Sequence, residues 1–70
     1  MMPLTLAVTG EESIILRIGG SSETKKHLED MGFVVGAAVT VVNTLGGDLI
    51  VRVKESRVAI SREMAGKIMI

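Results

Sequence analysis

Apolar residues fall along this chain in short runs broken by glycines and polar clusters, with no long helical stripe. Leu4, Leu6 and Val8 alternate, which predicts an edge strand ahead of a turn at residues 10–13. The β-branched run at residues 14–18 predicts the first clear strand, ended by Gly19 and Gly20. Val39, Val41 and Val42 mark a strand over residues 38–44. The glycines at residues 46 and 47 predict a hairpin turn, with a return strand over residues 49–53. A polar turn at residues 54–57 precedes a strand at residues 58–60, and a last strand covers residues 67–70.

One segment breaks this rhythm. Ser21, Ser22 and Glu23 suit a helix start, because a serine oxygen accepts from first-turn amides and a carboxylate suits the positive end of the dipole. Leu28 and Met31 sit three apart on one face, and Gly32 follows as a left-handed stop. The pattern predicts a short α-helix over residues 22–31, with Lys25, Lys26, Glu29 and Asp30 on its polar side. Ser61 and Gly66 bracket a helical turn near residues 62–65. Residues 33–36 form a connector. The expected fold is mainly β, a single domain over residues 1–70. Five to six short strands curl into a small closed barrel that hides its edges, and Leu28 and Met31 plug one end.

Composition narrows the function. With 70 residues and no cysteine, the chain must be held by dense packing of aliphatic side chains, since its only aromatic is Phe33. Lack of cysteine also fits a reducing, cytoplasmic setting. Eight basic and eight acidic residues balance to zero, so nothing predicts capture of nucleic acid. No apolar run approaches the roughly 20 residues of a membrane span, and residues 1–4 do not read as a secretory signal. Direct membrane insertion is not expected. Mean hydropathy is +0.47, high for a small domain, so either the barrel hides its apolar residues well or some apolar surface is kept for an interface. Weak self-association stays open.

Candidate chemistry is sparse. His27 is the sole histidine, with Glu23 one turn before it and Asp30 or Met31 after, so a weak Fe(II) or Zn(II) site is geometrically open to it. The plainer reading is a solvent-facing helix residue, with no bound cofactor. Gly19 and Gly20 precede a helix start but lack the spacing and lysine of a phosphate loop. One histidine and no cysteine leave little for nucleophilic catalysis, and the adjacent carboxylates Glu11–Glu12 and Glu29–Asp30 diverge rather than form an acid/base pair. The chain therefore reads as a binding protein and not an enzyme.

The central stretch His27-Leu28-Glu29-Asp30-Met31-Gly32-Phe33-Val34-Val35-Gly36, the glycine hairpin, and the ending Ala65-x-x-Ile68-x-Ile70 follow in a set order. That order and spacing resemble the ferrous iron transport protein A (FeoA) family over essentially the whole chain. His27 stands where the family often has arginine, and Val35 where it often has proline. The resemblance implies an SH3-like β-barrel. It also implies a non-catalytic cytoplasmic accessory protein of bacterial ferrous iron uptake. Such a protein would bind and modulate the membrane transporter FeoB through its cytoplasmic GTP-binding domain. The helix face and connector, with Lys25, Lys26, His27, Met31 and Phe33, are the expected contact residues. Two alternatives remain: a regulatory domain like the one at the C-terminus of iron-dependent transcriptional repressors, and a direct transition-metal-binding module.

Overall fold

A computed structural model describes residues 1–70. It contains six strands: β1 (Glu12–Ile14), β2 (Arg17–Ile18), β3 (Ala38–Leu45), β4 (Asp48–Val53), β5 (Ser56–Ser61) and β6 (Ile68–Met69). Helices α1 (Ser22–Asp30) and α2 (Arg62–Ala65) fall between β2 and β3 and between β5 and β6. The strands form a four-stranded antiparallel sheet in the order β1-β3-β4-β5 and a second, two-stranded sheet of β2 and β6. The expected mainly β fold is present. The expected closure is only partial, because the two ladders do not join into one hydrogen-bonded ring.

Hairpin chemistry sets the large sheet. Gly46 has φ +62° and Lys54 has φ +56°, each as first residue of a two-residue turn closed by Leu45–Asp48 and Val53–Ser56 pairs. A positive φ at that place matches the twist of the flanking strands. The polar turn expected over residues 54–57 is therefore shorter, and Ser56 and Arg57 belong to β5. Between Val41 and Asn43 the β3–β4 register shifts, leaving Val42 as a bulge. Val39 and Val41 on β3, Leu49, Val51 and Val53 on β4, and Ile60 on β5 all turn inward.

Two expectations fail at the N-terminal side. Residues 4–8 are not an edge strand. Leu4–Leu6 is a 3₁₀ turn, closed by the Leu6 and Ala7 amides donating to the Pro3 and Leu4 carbonyls at 3.0 Å each. Pairing stops at an isolated antiparallel bridge between Pro3 and Met69, and the turn that follows buries Leu4 while leaving Leu6 exposed. The single strand read over residues 14–18 is two strands in different sheets, and Glu12 and Ser13 belong to the first rather than to a turn. Ile15 donates to Ala37 (2.9 Å) and accepts from Gly36 (2.8 Å), whereas Leu16 donates to Met69 (2.8 Å). The chain changes sheets between these two residues.

The core comprises twelve residues, all apolar: Leu4, Ile15, Leu28 and Phe33, the six strand residues above, and Ala65 and Ile68. No polar side chain is buried. Ser61 caps α2, its side chain accepting from the Met64 amide at 3.1 Å. Gly66 closes α2 in the right-handed region (φ −64°), not as a left-handed stop. A Cβ there would lie 3.4 Å from the Glu63 carbonyl oxygen, an ordinary van der Waals contact, so neither φ nor space demands glycine at this end. The last strand is tied in at Ile70, which exchanges hydrogen bonds with Met2 at 2.8 and 2.9 Å.

Phe33 is the largest fully buried side chain. Replacing it with alanine is expected to remove about 3–5 kcal/mol of stability, measured by urea unfolding. A loss below about 1 kcal/mol would show that the core does not rest on it. Lys54 holds a conformation that costs a side chain about 1–2 kcal/mol, so Lys54→Gly is expected to raise stability by roughly 0.5–1 kcal/mol after the added unfolded-state entropy.

Candidate functional site

A groove of about 530 Å3 opens between β2, α1 and the connector that follows α1. Its lining joins Leu16 to Ile18, Lys25 and Glu29, and Phe33 to Val35. Each wall has a local cause. The sheet change at Ile15 turns that side chain inward and Leu16 outward, so Leu16 stays 53% exposed. Lys25 and Glu29 lie one turn apart on α1 and share a face.

The third wall comes from how α1 ends. Ser21 caps its start, its side chain accepting from the Thr24 amide at 3.2 Å. At its end, Gly32 takes φ +103° and donates to Glu29 at 2.9 Å, while Phe33 donates to Leu28 at 2.9 Å. This paired arrangement is a Schellman motif, with Leu28 and Phe33 in its hydrophobic contact positions. Both are fully buried. The reversal carries the chain outward again, so Val34 is half-buried and Val35 is 65% exposed. An apolar floor thus meets a rim of Arg17, Lys25 and Glu29.

The five expected contact residues do not share one surface. Lys25 sits on the groove rim, and Phe33 forms its floor at 1% exposure. Lys26 is exposed on the polar side of α1. His27 is exposed and borders a separate shallow depression with Ser21, Glu23, Thr24 and Met64. Met31 is half-buried and packs against the core. Leu16, Arg17 and Ile18 are groove residues that the sequence pattern missed, because a continuous strand would have hidden the outward turn at Leu16. No three histidine, aspartate or glutamate side chains come together as a metal-holding group. A second surface depression, of about 460 Å3, is polar and lined by Gly10, Glu12, Thr40, Arg52 and Lys54 among others.

A small antiparallel sheet backed by a two-stranded sheet and one capped helix defines an SH3-like domain whose accessible features are surface grooves. Solved structures share this fold. One described as an iron uptake regulatory protein (FeoA) superposes with a TM-score of 0.86 at 30% identity, covering 96% of this chain and 89% of that one. A Stenotrophomonas maltophilia FeoA, described as an SH3 domain protein, gives 0.85 at 21% identity over 99% and 88% of the two chains. A manganese-dependent transcriptional repressor gives 0.84 at 16% identity, this chain covering 38% of it, a likeness of fold alone.

The FeoA domain family matches residues 2–70, and the chain belongs to that family. A Methanocaldococcus jannaschii relative bearing the name Fe(2+) transport protein A is 36% identical over the whole chain, which covers 85% of the relative. A Porphyromonas gingivalis protein is 35% identical over 69 residues. That protein is described as a fusion of Fe(2+) transport protein A with the Fe(2+) transporter FeoB, and this chain spans 8% of its length.

Leu16 and Val35 line the groove without supporting the core. Leu16→Asp and Val35→Asp are each expected to change unfolding free energy by no more than about 0.5 kcal/mol. A larger loss in denaturant unfolding would mean that the groove wall is structural.

Proposed function

We propose that this domain is a non-catalytic cytoplasmic accessory protein of ferrous iron uptake. It binds the cytoplasmic GTP-binding domain of a FeoB-type membrane transporter and biases that domain between its conformational states. The observation that carries the reading is the fusion relative, in which a matching segment and FeoB are one polypeptide. Covalent linkage raises the effective concentration of two modules that work together. The groove between β2, α1 and the connector is the contact surface. Its exposed Leu16 and Val35 supply apolar area to bury, and Arg17, Lys25 and Glu29 set orientation and encounter rate. Lys26, His27 and Met31 lie on α1 and its cap outside the groove lining.

A ligand shifts a conformational equilibrium only by binding its states with different affinity. Calorimetric titration of the transporter's GTP-binding domain, without nucleotide, with GDP and with a non-hydrolysable GTP analogue, is therefore expected to give state-dependent affinities. Leu16→Asp and Val35→Asp should each weaken binding by about tenfold or more, an apolar anchor's share of an interface. Absence of heat and of complex in every nucleotide state at high micromolar concentration would overturn the reading.

The proposal places no iron on this chain itself. No helix is long and apolar enough to cross a membrane, and in this reading the transport step itself lies with the partner. Titration of the labelled protein with Zn(II) or Fe(II) is expected to leave the His27 ring signals unmoved at equimolar metal. Shifts converging on His27, Glu23 and Asp30 would instead support a direct metal-binding role. The second reading, a regulatory domain, has only a shared fold with the repressor behind it. A neighbouring gene for a large membrane GTPase supports the first reading, and an adjacent helix-turn-helix reading frame supports the second.

A further inference from the structure

The four-stranded sheet ends on two unequal edges. β1 contributes three residues, whereas β5 runs for six, Ser56–Ser61, and is paired only with β4. β5 contains no lysine, proline or bulge to blunt the edge, and its one charged residue is the exposed Arg57.

Register determines which of its backbone groups are free. Ser56 closes the two-residue turn against Val53, and beyond the far end of β5 the Arg62 amide donates to the Gly47 carbonyl at 3.1 Å. Hydrogen-bonded and non-bonded pairs alternate in an antiparallel ladder. The bonded pairs are thus Ser56–Val53, Val58–Val51 and Ile60–Leu49. Arg57, Ala59 and Ser61 aim their N–H groups, and Arg57 and Ala59 their carbonyls, away from β4.

Two copies of β5 can meet antiparallel with every side chain kept on its own face only if the two-fold axis passes through a residue. An axis through Val58 brings the two Arg57 side chains together as diagonal neighbours, which like charges disfavour. An axis through Ala59 sets the smallest side chain of the strand on the axis. It places Arg57 opposite Ser61 of the second copy, and half-buried Val58 opposite Ile60. Beyond Ser61, the next residue in that row is Asp48 on β4. Two strand spacings are about 10 Å, a span that an arginine side chain crosses over a serine. Arg57 and Asp48 are both exposed in the single copy. The axis repeats the pairing, so two ion pairs form.

We propose that β5 is a self-association edge, through which two copies of this chain join their sheets antiparallel about Ala59. Ala59 then exchanges both backbone hydrogen bonds with its counterpart, and Arg57 of each copy accepts from the Ser61 amide of the other. The occupant is a second copy because the complement to this edge, in hydrogen-bond parity and in charge, lies in the strand and its β4 neighbour.

Sedimentation equilibrium from micromolar to millimolar protein, with amide exchange followed by NMR, tests this. The expected result is a monomer–dimer equilibrium, with the Ala59 amide protected in step with the dimer fraction. Ala59→Pro deletes one outward N–H per copy and should weaken association by about tenfold or more. Arg57→Asp and Asp48→Arg, both at exposed positions, should each weaken it, and the two together should restore it. A monomer across the whole range would overturn the proposal. So would a dimer whose Ala59 amide exchanges freely or whose strength is unchanged by Ala59→Pro. Dimerisation sensitive to Ala59→Pro but indifferent to both charge reversals would overturn the Ala59 register.

Discussion

Between Ile15 and Leu16 the backbone passes from one sheet to the other, and the rest of the domain hangs on that step. Ile15 is fully buried and bonds on both sides to the connector at Gly36 and Ala37, which lines up β1 beside β3. Leu16 bonds to Met69, which fixes the last strand. One peptide unit therefore holds the large sheet, the small sheet and the connector in place. A pair of sheets this small has few contacts to spare. The inward turn of Ile15 and the outward turn of Leu16 are two sides of the same geometry, so the constraint that builds the core also exposes the groove.

The wholly apolar core has a functional consequence. No ionisable side chain is buried, so the charges stay at the surface. What the fold presents at this surface is shape: a groove with an aliphatic wall, an aromatic floor and a charged rim. The Schellman turn matters to both roles. Gly32 lets the chain reverse, Leu28 and Phe33 bury themselves where it does, and Val34 and Val35 emerge on the far side. Substituting Gly32 would strain the backbone at a positive φ and shift the connector along with the core.

Where the sequence was legible, a local cause operated. The capped helix, its glycine stop and the glycine hairpin rest on interactions within a few residues, and each stands where the pattern put it. Lys25 and Phe33, two of the expected contact residues, line one groove for the same reason: helix spacing and the stop signal fix them relative to one another. The misreadings arose where local preference was overruled from far away. Leu4, Leu6 and Val8 have a strand's alternation, but pairing stops at the isolated Pro3–Met69 bridge and Leu4 is drawn inward by the core. The run at residues 14–18 has a strand's composition, yet its two halves bond to Ala37 and Met69, remote in sequence. Leu16 was missed with it. Lys26, His27 and Met31 lie close along the chain but point to three different surroundings, since helix rotation spreads neighbours around the axis.

By itself the sequence determined the two helices and their caps, the glycine hairpin and its flanking strands, a purely aliphatic and aromatic interior, and membership in a family with a set order of motifs. Side-chain periodicity and glycine geometry act over a turn or two, so these are readable one window at a time. Tertiary structure alone decided that a single β-branched run serves two sheets, that the ring of strands stays partly open, which apolar residues face outward, and which backbone groups of β5 are left unpaired. Those outcomes depend on hydrogen-bond partners tens of residues away, and pairing register is a property of two segments together that neither one carries alone.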